Sequence, residues 1–263
     1  MKPYWAILRA RCLLLLQYRA AAFAGFVTQF FWGLMRVMIF AAFYHSTTHA
    51  QPMSFAQVRT YVWLGQALLV LIPWNLDAEV AAMIRTGNVA YELLRPLDLY
   101  AFWYCRALAL RTAPGLMRAL PMFIIAGLFF GLQPPPSWAA VGAFVAAMLG
   151  AVLLSSAITT LLTLTTLWTV AGDGVQYLFF SGAMLLSGMV IPLPLFPAWA
   201  QPILAALPFR GLIDAPFRLY NGGLPPSELG WILAHQLLWT AAFVLIGRLA
   251  LARGVRRLVI QGG

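Results

Sequence analysis

Lysine and charge are what this sequence has least of. Of its 17 basic residues only Lys2 is a lysine, and charged residues make up 9% of the 263 positions. A P-loop nucleotide site requires a lysine behind a glycine-rich turn, so that site is excluded. Hydrophobic residues reach 62%, whereas typical soluble domains have about 45–50% apolar and about 25% charged residues. Too few charges remain to cover a water-exposed surface, so the sequence predicts a protein whose solvent is largely lipid.

Cysteine and histidine are also scarce. The two cysteines, Cys12 and Cys105, fall in segments that we assign to the same side of the membrane, so neither a disulfide framework nor a metal cluster is expected. His45 and His49 have the spacing of a metal pair, but the sequence offers no third ligand near them, and we predict no metal site. The net charge of +10 comes from dispersed arginines rather than a basic stripe, so nucleic acid is not an expected partner.

Long apolar runs are what the sequence has instead. A membrane-spanning helix needs about 20 residues, and six runs approach or exceed that length. We therefore predict an all-α polytopic membrane protein with six transmembrane helices in one domain, 1–263. The predicted spans are about 20–44, 57–74, 113–131, 137–170, 175–191 and 231–250. Segment 1–19 has basic residues on both sides of a short apolar stretch, so we predict an amphipathic helix at the membrane interface.

The segment 192–226 contains eight prolines among leucine, phenylalanine and tryptophan. It is apolar enough for lipid but too broken for a straight span, so we predict short re-entrant helices packed against protein. Cations near the span ends orient the chain. If the N-terminus is inside, twelve cations lie on the cytoplasmic side and three outside. This predicts a multi-pass protein of the inner, cytoplasmic membrane with both termini in the cytoplasm.

The longest internal polar segment is 76–103, between the second and third predicted spans. It carries six charged residues around a turn at Gly87 and Asn88. These six are Asp77, Glu79, Arg85, Glu92, Arg95 and Asp98. Their helical spacings, together with interleaved apolar positions, predict a helix-turn-helix with an apolar face. Two interpretations stay open: the face binds a soluble partner, or it lies on the membrane surface.

Within this segment, the stretch IRTGNVAYELLRPLDLYAFWYCRA, residues 84–107, resembles a loop of known transport proteins. It is similar to the loop between the second and third spans of type-2 ABC exporter permeases, in the subgroup with a Gly-Asn-x-x-x-x-Leu-Leu-Arg-Pro-Leu signature. The six-span layout, the amphipathic start and the broken segment before the last span agree with the same family over the whole chain.

The resemblance implies a non-catalytic permease subunit of an ATP-driven exporter. A coupling helix in 76–103 would enter a cleft in a separate ATP-binding subunit, which binds ATP and magnesium, while this chain binds no cofactor. Two copies of that subunit and a second permease, identical or homologous, are implied, with the substrate passing between the permeases. The residues that we assign to coupling are Glu79, Arg85, Gly87, Asn88, Glu92, Leu93, Leu94, Arg95 and Pro96.

Arg36 lies in the middle of the first predicted span, where an ionised side chain is costly unless it faces protein or water. It is therefore a candidate for the substrate path, and the alternative is an arginine that binds neighbouring carbonyls. Spans one, two and five are expected to border the path. Four aromatic residues there are further candidates, although core packing or lipid contact explains any one of them as well. They are Phe30, Trp32, Trp63 and Phe179.

Other functions fit the sequence less well. A membrane-embedded enzyme requires a convergent set of acid, base, nucleophile or metal ligands, and the spans contain no such set. An ion-coupled secondary transporter is the alternative function. Such proteins carry carboxylates within their spans, whereas every acid here is assigned to a loop or turn. Aromatic and aliphatic spans favour a hydrophobic or amphipathic substrate, such as a drug, a lipid or a peptide-like molecule.

Overall fold

The computed structural model describes residues 2–169 and 173–255. These residues form α-helices and short 3-10 turns, with no β-strand among them, so the prediction of an all-α fold is confirmed. The α-helices are α1 (Lys2–Leu15), α2 (Arg19–Ser46), α3 (Phe55–Ala67), α4 (Ala78–Arg85), α5 (Val89–Leu93), α6 (Leu99–Phe129), α7 (Trp138–Thr165), α8 (Asp173–Leu186), α9 (Gln201–Ala206), α10 (Asp214–Tyr220) and α11 (Leu229–Gly254).

Four helices in the described ranges are long and apolar enough to cross a membrane: α2, α6, α7 and α11. They contain most of the first, third, fourth and sixth predicted spans. α6 begins well before the predicted lipid-crossing part at 113, because Asp98 caps it by accepting a hydrogen bond from the Ala101 N–H at 2.7 Å. The predicted end of the fourth span, Val170, lies outside the described residues.

The other two predicted spans, 57–74 and 175–191, differ from the structure. α3 has 13 residues and α8 has 14, whereas a helical span needs about 20. After Ala67 the chain makes a 3-10 turn and an extended stretch, in which Pro73 lacks the N–H that a continuing helix requires. Beyond α8, Gly188 has a φ of +88°, the left-handed conformation that commonly follows a helix end.

The polar and proline-rich segments form short elements. Segment 76–103 contains α4 and α5, joined at Gly87 with a φ of +75°, and its last residues belong to α6. Segment 192–226 contains the short helices α9 and α10 and several 3-10 turns, and its re-entrant placement stays a prediction. α1 covers most of 1–19 and packs along α6.

Arg111 of α6 accounts for the unwound stretch that follows α3. Its side chain is 1% exposed, and its guanidinium donates to the carbonyls of Val70 and Ile72, both at 3.2 Å, and of Asn75 at 2.7 Å. A fourth hydrogen bond reaches Thr159 of α7 at 2.9 Å. Carbonyls outside a helix have no intrahelical partner, and the five donors of one guanidinium replace the missing partners.

Other long polar side chains also donate to backbone carbonyls, at helix ends and, for Ala147, within α7. Arg59 Nε donates to the carbonyl of Gly131, just after α6, at 3.0 Å. Gln236 of α11 donates to the carbonyls of Ala147 at 2.9 Å and Gly211 at 2.7 Å. Because backbone groups that face lipid or protein have no water to bind, these contacts permit a fold with broken helices.

The largest core cluster lies among α3, α6, α7 and α10, with α7 at its centre. Half of the apolar window of α7 is buried. Among the largest fully buried side chains of this cluster are Tyr61, Trp63, Leu64, Met122, Leu154, Ile158 and Phe217. A second cluster packs α4 and α5 against α6, α7 and α11 through Val80, Ile84, Val89, Trp103, Leu164 and Leu251.

We call the region around this second cluster the charged end; it consists of α1, α4, α5, the start of α6 and the end of α11. Arg248 of α11 lies 3.2 Å from Asp98 there. At the opposite, proline-rich end, the Gln133 N–H donates to Thr60 Oγ1 at 3.1 Å, and Asn221 donates to the carbonyl of Gln57 at 3.5 Å. These contacts hold the starts of α3 and α7 and the end of α10 together.

Replacing Arg111→Met is expected to destabilise the fold strongly. The substitution keeps an apolar chain of similar length but leaves the carbonyls of Val70, Ile72 and Asn75 without their donor, at roughly 1–3 kcal/mol for each buried unsatisfied group. Thermal unfolding in mild detergent measures the loss. Arg9→Met, at an exposed position of α1, is the matched control and is expected to change the midpoint little. An unchanged midpoint in Arg111→Met would contradict this role.

Candidate coupling surface and membrane cavity

An ion-pair cluster joins three helices at the charged end. Arg106 of α6 binds both carboxylate oxygens of Asp77, at 2.6 and 2.7 Å, and also reaches Glu79 at 2.9 Å. Glu79 in turn accepts from Arg11 of α1, at 2.8 Å for the Nη1 contact. Asp77 also caps α4 by accepting from the Val80 N–H at 3.2 Å. The cluster therefore fixes α1 and α4 to the first half of α6.

The Arg106–Asp77 pair of the cluster is largely shielded from water, since the two side chains are 4% and 17% exposed, whereas the Glu79 side chain is 59% exposed. Burial raises the pKa of the Asp77 carboxyl above its ordinary value, while the Val80 N–H and the charge of Arg11 act in the opposite direction. The bidentate contact from Arg106 favours the ionised carboxylate. The charge of Asp77 therefore depends on its guanidinium partner.

α5 turns one face inward and the other outward. Inward, Val89 is buried, and Glu92 is 6% exposed and accepts a hydrogen bond from Trp103 Nε1 at 2.8 Å. Outward, Tyr91 is 72% and Leu94 is 82% exposed. We call the exposed residues of this turn the coupling surface; it consists of Asn88, Tyr91, Leu93, Leu94 and Arg95.

The residues predicted for coupling differ in their surroundings. Glu92 is buried against Trp103, and Glu79 binds Arg11 and Arg106 although its side chain is 59% exposed. Gly87 forms the turn between α4 and α5. The other exposed members are Arg85, Asn88, Leu93, Leu94, Arg95 and Pro96. Tyr91, which sequence reasoning did not select, lies among the exposed members.

A cavity of about 840 Å³ lies between α2, α3 and α8, next to the chain that follows α8. Its lining residues are Thr28, Gln29, Trp32, Arg36, Ile39, Phe40, Phe43, Gln51, Gln66, Leu69, Met184, Met189, Val190, Ile191 and Leu195. The residues contributed by α2 follow a three-to-four-residue spacing, which places them on one face of that helix. Gly33 permits the close contact of α2 with α3, since a Cβ there would lie 2.5 Å from the Trp63 ring.

Two of the five residues predicted for the substrate path, Trp32 and Arg36, line this cavity. Arg36 Nη2 donates to the carbonyls of Met189 and of Val190, the latter at 2.7 Å, so this arginine binds neighbouring carbonyls as the alternative predicted, and its role in the substrate path stays a prediction. The guanidinium therefore joins the middle of α2 to the broken segment after α8.

The other three predicted path residues pack within the protein. Trp63 is fully buried and donates from Nε1 to the carbonyl of Phe130 at 3.1 Å. Phe30 stacks on Trp63, with ring centroids 5.7 Å apart. Phe179 packs on Phe209 with centroids 5.4 Å apart. These three aromatic residues are therefore not among those that line the cavity.

Asp214 corrects the expectation that every acid lies in a loop or turn. It begins α10, is 1% exposed, and accepts from the Tyr61 hydroxyl at 3.3 Å. Arg218 and Arg210 lie 3.6 and 3.9 Å from its carboxylate. Two arginines therefore balance a buried acid in the proline-rich segment.

Sequence reasoning missed several residues of these sites. Gln29 and Gln66 line the cavity and are 7% and 5% exposed; the available signal was an amide side chain within a long apolar run. Arg106 and Arg111 were expected only as cations near a membrane boundary. Their partners are 27 to 48 residues away in the sequence, so no local pattern pointed to them.

Long apolar helices around a partly buried cavity define a multi-pass membrane protein. A family model described as ABC-2 family transporter protein matches residues 30–262. The chain belongs to this family, whose members are generally non-catalytic membrane subunits that associate with an ATP-binding subunit. The resemblance to type-2 ABC permeases is confirmed, and the subgroup defined by the coupling-loop signature stays a prediction. Comparisons with curated proteins and with solved structures found no match.

Arg106→Gln tests the ion-pair cluster. The variant leaves the Asp77 carboxylate buried without its cation, which costs about 3–5 kcal/mol at neutral pH. Because burial raises the pKa of Asp77 in the folded state, protonation relieves part of this cost. The loss of stability relative to the unmodified protein is therefore expected to shrink as the pH falls from 7 towards 5. Unfolding midpoints at pH 5, 6 and 7 measure this.

The matched control is the double variant Arg106→Gln, Asp77→Asn, in which no buried charge remains. It is expected to regain part of the lost stability at pH 7 and to show no such pH dependence. A loss in Arg106→Gln that is equal at all three pH values would exclude Asp77 as the cause.

Proposed function

We propose that this chain is the permease subunit of an ATP-driven exporter, and that a separate ATP-binding subunit binds the coupling surface. The observation that carries the proposal is the pair Tyr91 and Leu94, two large apolar side chains that are 72% and 82% exposed on a helical turn whose other face is anchored. Exposed aromatic and aliphatic residues on a rigid support are the usual centre of a protein interface. That subunit supplies ATP and magnesium, and this chain binds neither.

The contacts of the charged end supply a route from the coupling surface to the cavity. α5 is held to α6 by the hydrogen bond of Glu92 to Trp103, and α4 is held by the pair of Asp77 with Arg106. Asp77 directly follows the unwound stretch that Arg111 binds, and that stretch continues α3, which forms one wall of the cavity. A displacement of α4 and α5 would therefore move α6 and α3 together.

The proposed topology has six spans, with α3 and α8 each completing a crossing together with the non-helical residues next to it. In this topology the protein lies in the inner membrane, and both termini and the charged end are on its cytoplasmic side. Segment 192–226 is re-entrant from the outer side. Only 11% of the apolar window of α2 is buried, so its outer face is available to lipid or to a second permease. The cavity on the other face of α2 suits a hydrophobic or amphipathic substrate, which is exported between the two permeases.

Co-purification with the ATP-binding subunit in mild detergent tests the proposal. The double variant Tyr91→Ser, Leu94→Ser is expected to reduce the bound ATPase about tenfold or more, since a central apolar contact contributes about 2 kcal/mol or more. Ile203→Ser on α9, 58% exposed, is the control and is expected to bind the ATPase normally. Glu92 is unsuitable as a test residue because it is buried against Trp103.

One result would favour an ion-coupled secondary transporter instead. In proteoliposomes without any ATPase, transport driven by an ion gradient and abolished by Asp214→Asn would assign the coupling to the buried acid of α10. The proposed exporter requires that no transport occurs under these conditions and that ATP with its ATPase restores it.

The six-span topology predicts which residues face the outside of the cell. In a Cys12→Ser, Cys105→Ser background, Trp199→Cys is expected to react with a membrane-impermeant maleimide on intact cells, since Trp199 is 75% exposed near α9. Tyr91→Cys is expected to react only after permeabilisation. If α3 did not cross the membrane, Tyr91→Cys would be labelled on intact cells, and the topology would be wrong.

A further inference from the structure

We infer that the cavity binds an amphipathic anion, with the acidic group of the substrate at Arg36 and its apolar body along α2 and α8. This inference names the substrate class and rests on the proposed function of the cavity as the substrate site. It is argued from the charge, the unpaired polar groups and the shape of the cavity wall.

The cavity contains a cation with unused donors. Nη2 of Arg36 binds the carbonyls of Met189 and Val190, whereas its Nε and Nη1 donate no hydrogen bond within 2–169 and 173–255. A guanidinium in a site of low dielectric constant needs a counter-charge, and two of its nitrogens are available to bind a carboxylate, sulfonate or phosphate oxygen.

The described protein does not supply that counter-charge at the cavity. No aspartate or glutamate is present among the described lining residues. The buried acid of this part of the chain, Asp214, lies against Tyr61, where Arg210 and Arg218 already balance it. A cationic substrate would therefore bind next to an unbalanced positive charge, whereas an anionic substrate would neutralise it.

Two amide side chains add hydrogen-bonding groups to the same wall. Gln29 Oε1 is buried and accepts no hydrogen bond from the described residues, and Gln66 is 5% exposed. A buried polar atom without a partner costs roughly 1–3 kcal/mol. A substrate with a hydrogen-bond donor roughly 10 Å from its acidic group satisfies Gln29, which lies two helical turns before Arg36 on α2.

Apart from Thr28 and Gln51, the rest of the wall is apolar. Trp32, Ile39, Phe40, Phe43, Leu69 and Met184 contribute aromatic and aliphatic surface. A volume of about 840 Å³ falls in the range of small-molecule sites, about 300–1,000 Å³. One acidic group, one donor and a large apolar body together describe the ligand that fits.

Two fluorescent probes with the same skeleton test the charge requirement. 8-Anilinonaphthalene-1-sulfonate is an anion, and N-phenyl-1-naphthylamine is the same molecule without the sulfonate. Their saturable binding is measured to the full permease–ATPase complex in phosphatidylcholine nanodiscs, after subtraction of empty nanodiscs. Dodecyl sulfate and tetraphenylphosphonium serve as anionic and cationic competitors.

The anionic probe is expected to bind, to be displaced by dodecyl sulfate, and to resist displacement by tetraphenylphosphonium. Arg36→Gln is expected to weaken the anionic probe about tenfold or more, the range for a charge-assisted hydrogen bond, and to leave the neutral probe within about twofold. Arg36→Lys keeps the charge and is expected to retain most of the preference.

Arg59→Gln is the matched control. Arg59 also binds a carbonyl, that of Gly131, but it is not among the residues that line the cavity, so its loss is expected to change neither probe. Stronger displacement by tetraphenylphosphonium than by dodecyl sulfate, or equal weakening of both probes in Arg36→Gln, would overturn the inference. If Arg36→Gln does not fold, the inference is tested by comparing dodecyl sulfate with tetraphenylphosphonium as competitors, in the unmodified protein and in Arg36→Lys.

Failure of the inference and failure of the proposed function give different results. Probe binding needs no ATP, so the two properties can be measured separately. If the site prefers tetraphenylphosphonium and the complex takes this cation up into proteoliposomes in the presence of ATP, only the inference of an anionic substrate is rejected. Probe binding as expected without ATP-dependent uptake would reject only the exporter.

Discussion

The fold depends on one constraint: backbone carbonyls released from a helix inside a membrane protein must find a donor, because no water is available there. Arginine and glutamine side chains supply those donors. Arg111 binds three carbonyls of the chain after α3, Arg36 binds two after α8, and Arg59 binds one after α6. This role suits the planar, five-donor guanidinium better than an ammonium group, and it gives a structural use to the arginines of a chain whose only lysine is Lys2.

The same contacts link the non-helical stretches after α3 and α8 to the coupling surface and to the cavity. The break after α3 leads into Asp77 and the ion-pair cluster of the charged end, so the coupling surface and the cavity wall belong to one continuous piece of chain. The break after α8 is bound by Arg36, which also lines the cavity. Helix interruptions, which cost backbone hydrogen bonds, are therefore located where movement and ligand binding are proposed to meet.

Much of the fold could be predicted from hydropathy, since α2, α7 and α11 coincide with long apolar runs, and the prolines of 192–226 indicated short helices. The ends of α3 and α8 could not, because residues such as Leu69 and Val190 are as apolar as a span and the distant Arg111 and Arg36 make their non-helical backbone tolerable. Within the candidate site, the Gly87-Asn88 dipeptide indicated the turn, and the charge spacing indicated the helices beside it. Periodicity gave no indication that Glu92 points inward and Tyr91 outward.

The position of α1 has a consequence for biosynthesis. Its partners come much later in the chain: Glu79 follows Arg11 by 68 residues, and the Asp98 N–H that donates to the Tyr4 hydroxyl follows by 94. On a ribosome that makes about 5–20 residues per second, α1 emerges several seconds before α4 and α6 exist. During that interval its apolar side has only the membrane surface to cover it, and the charged end is completed only when the first half of α6 has been made.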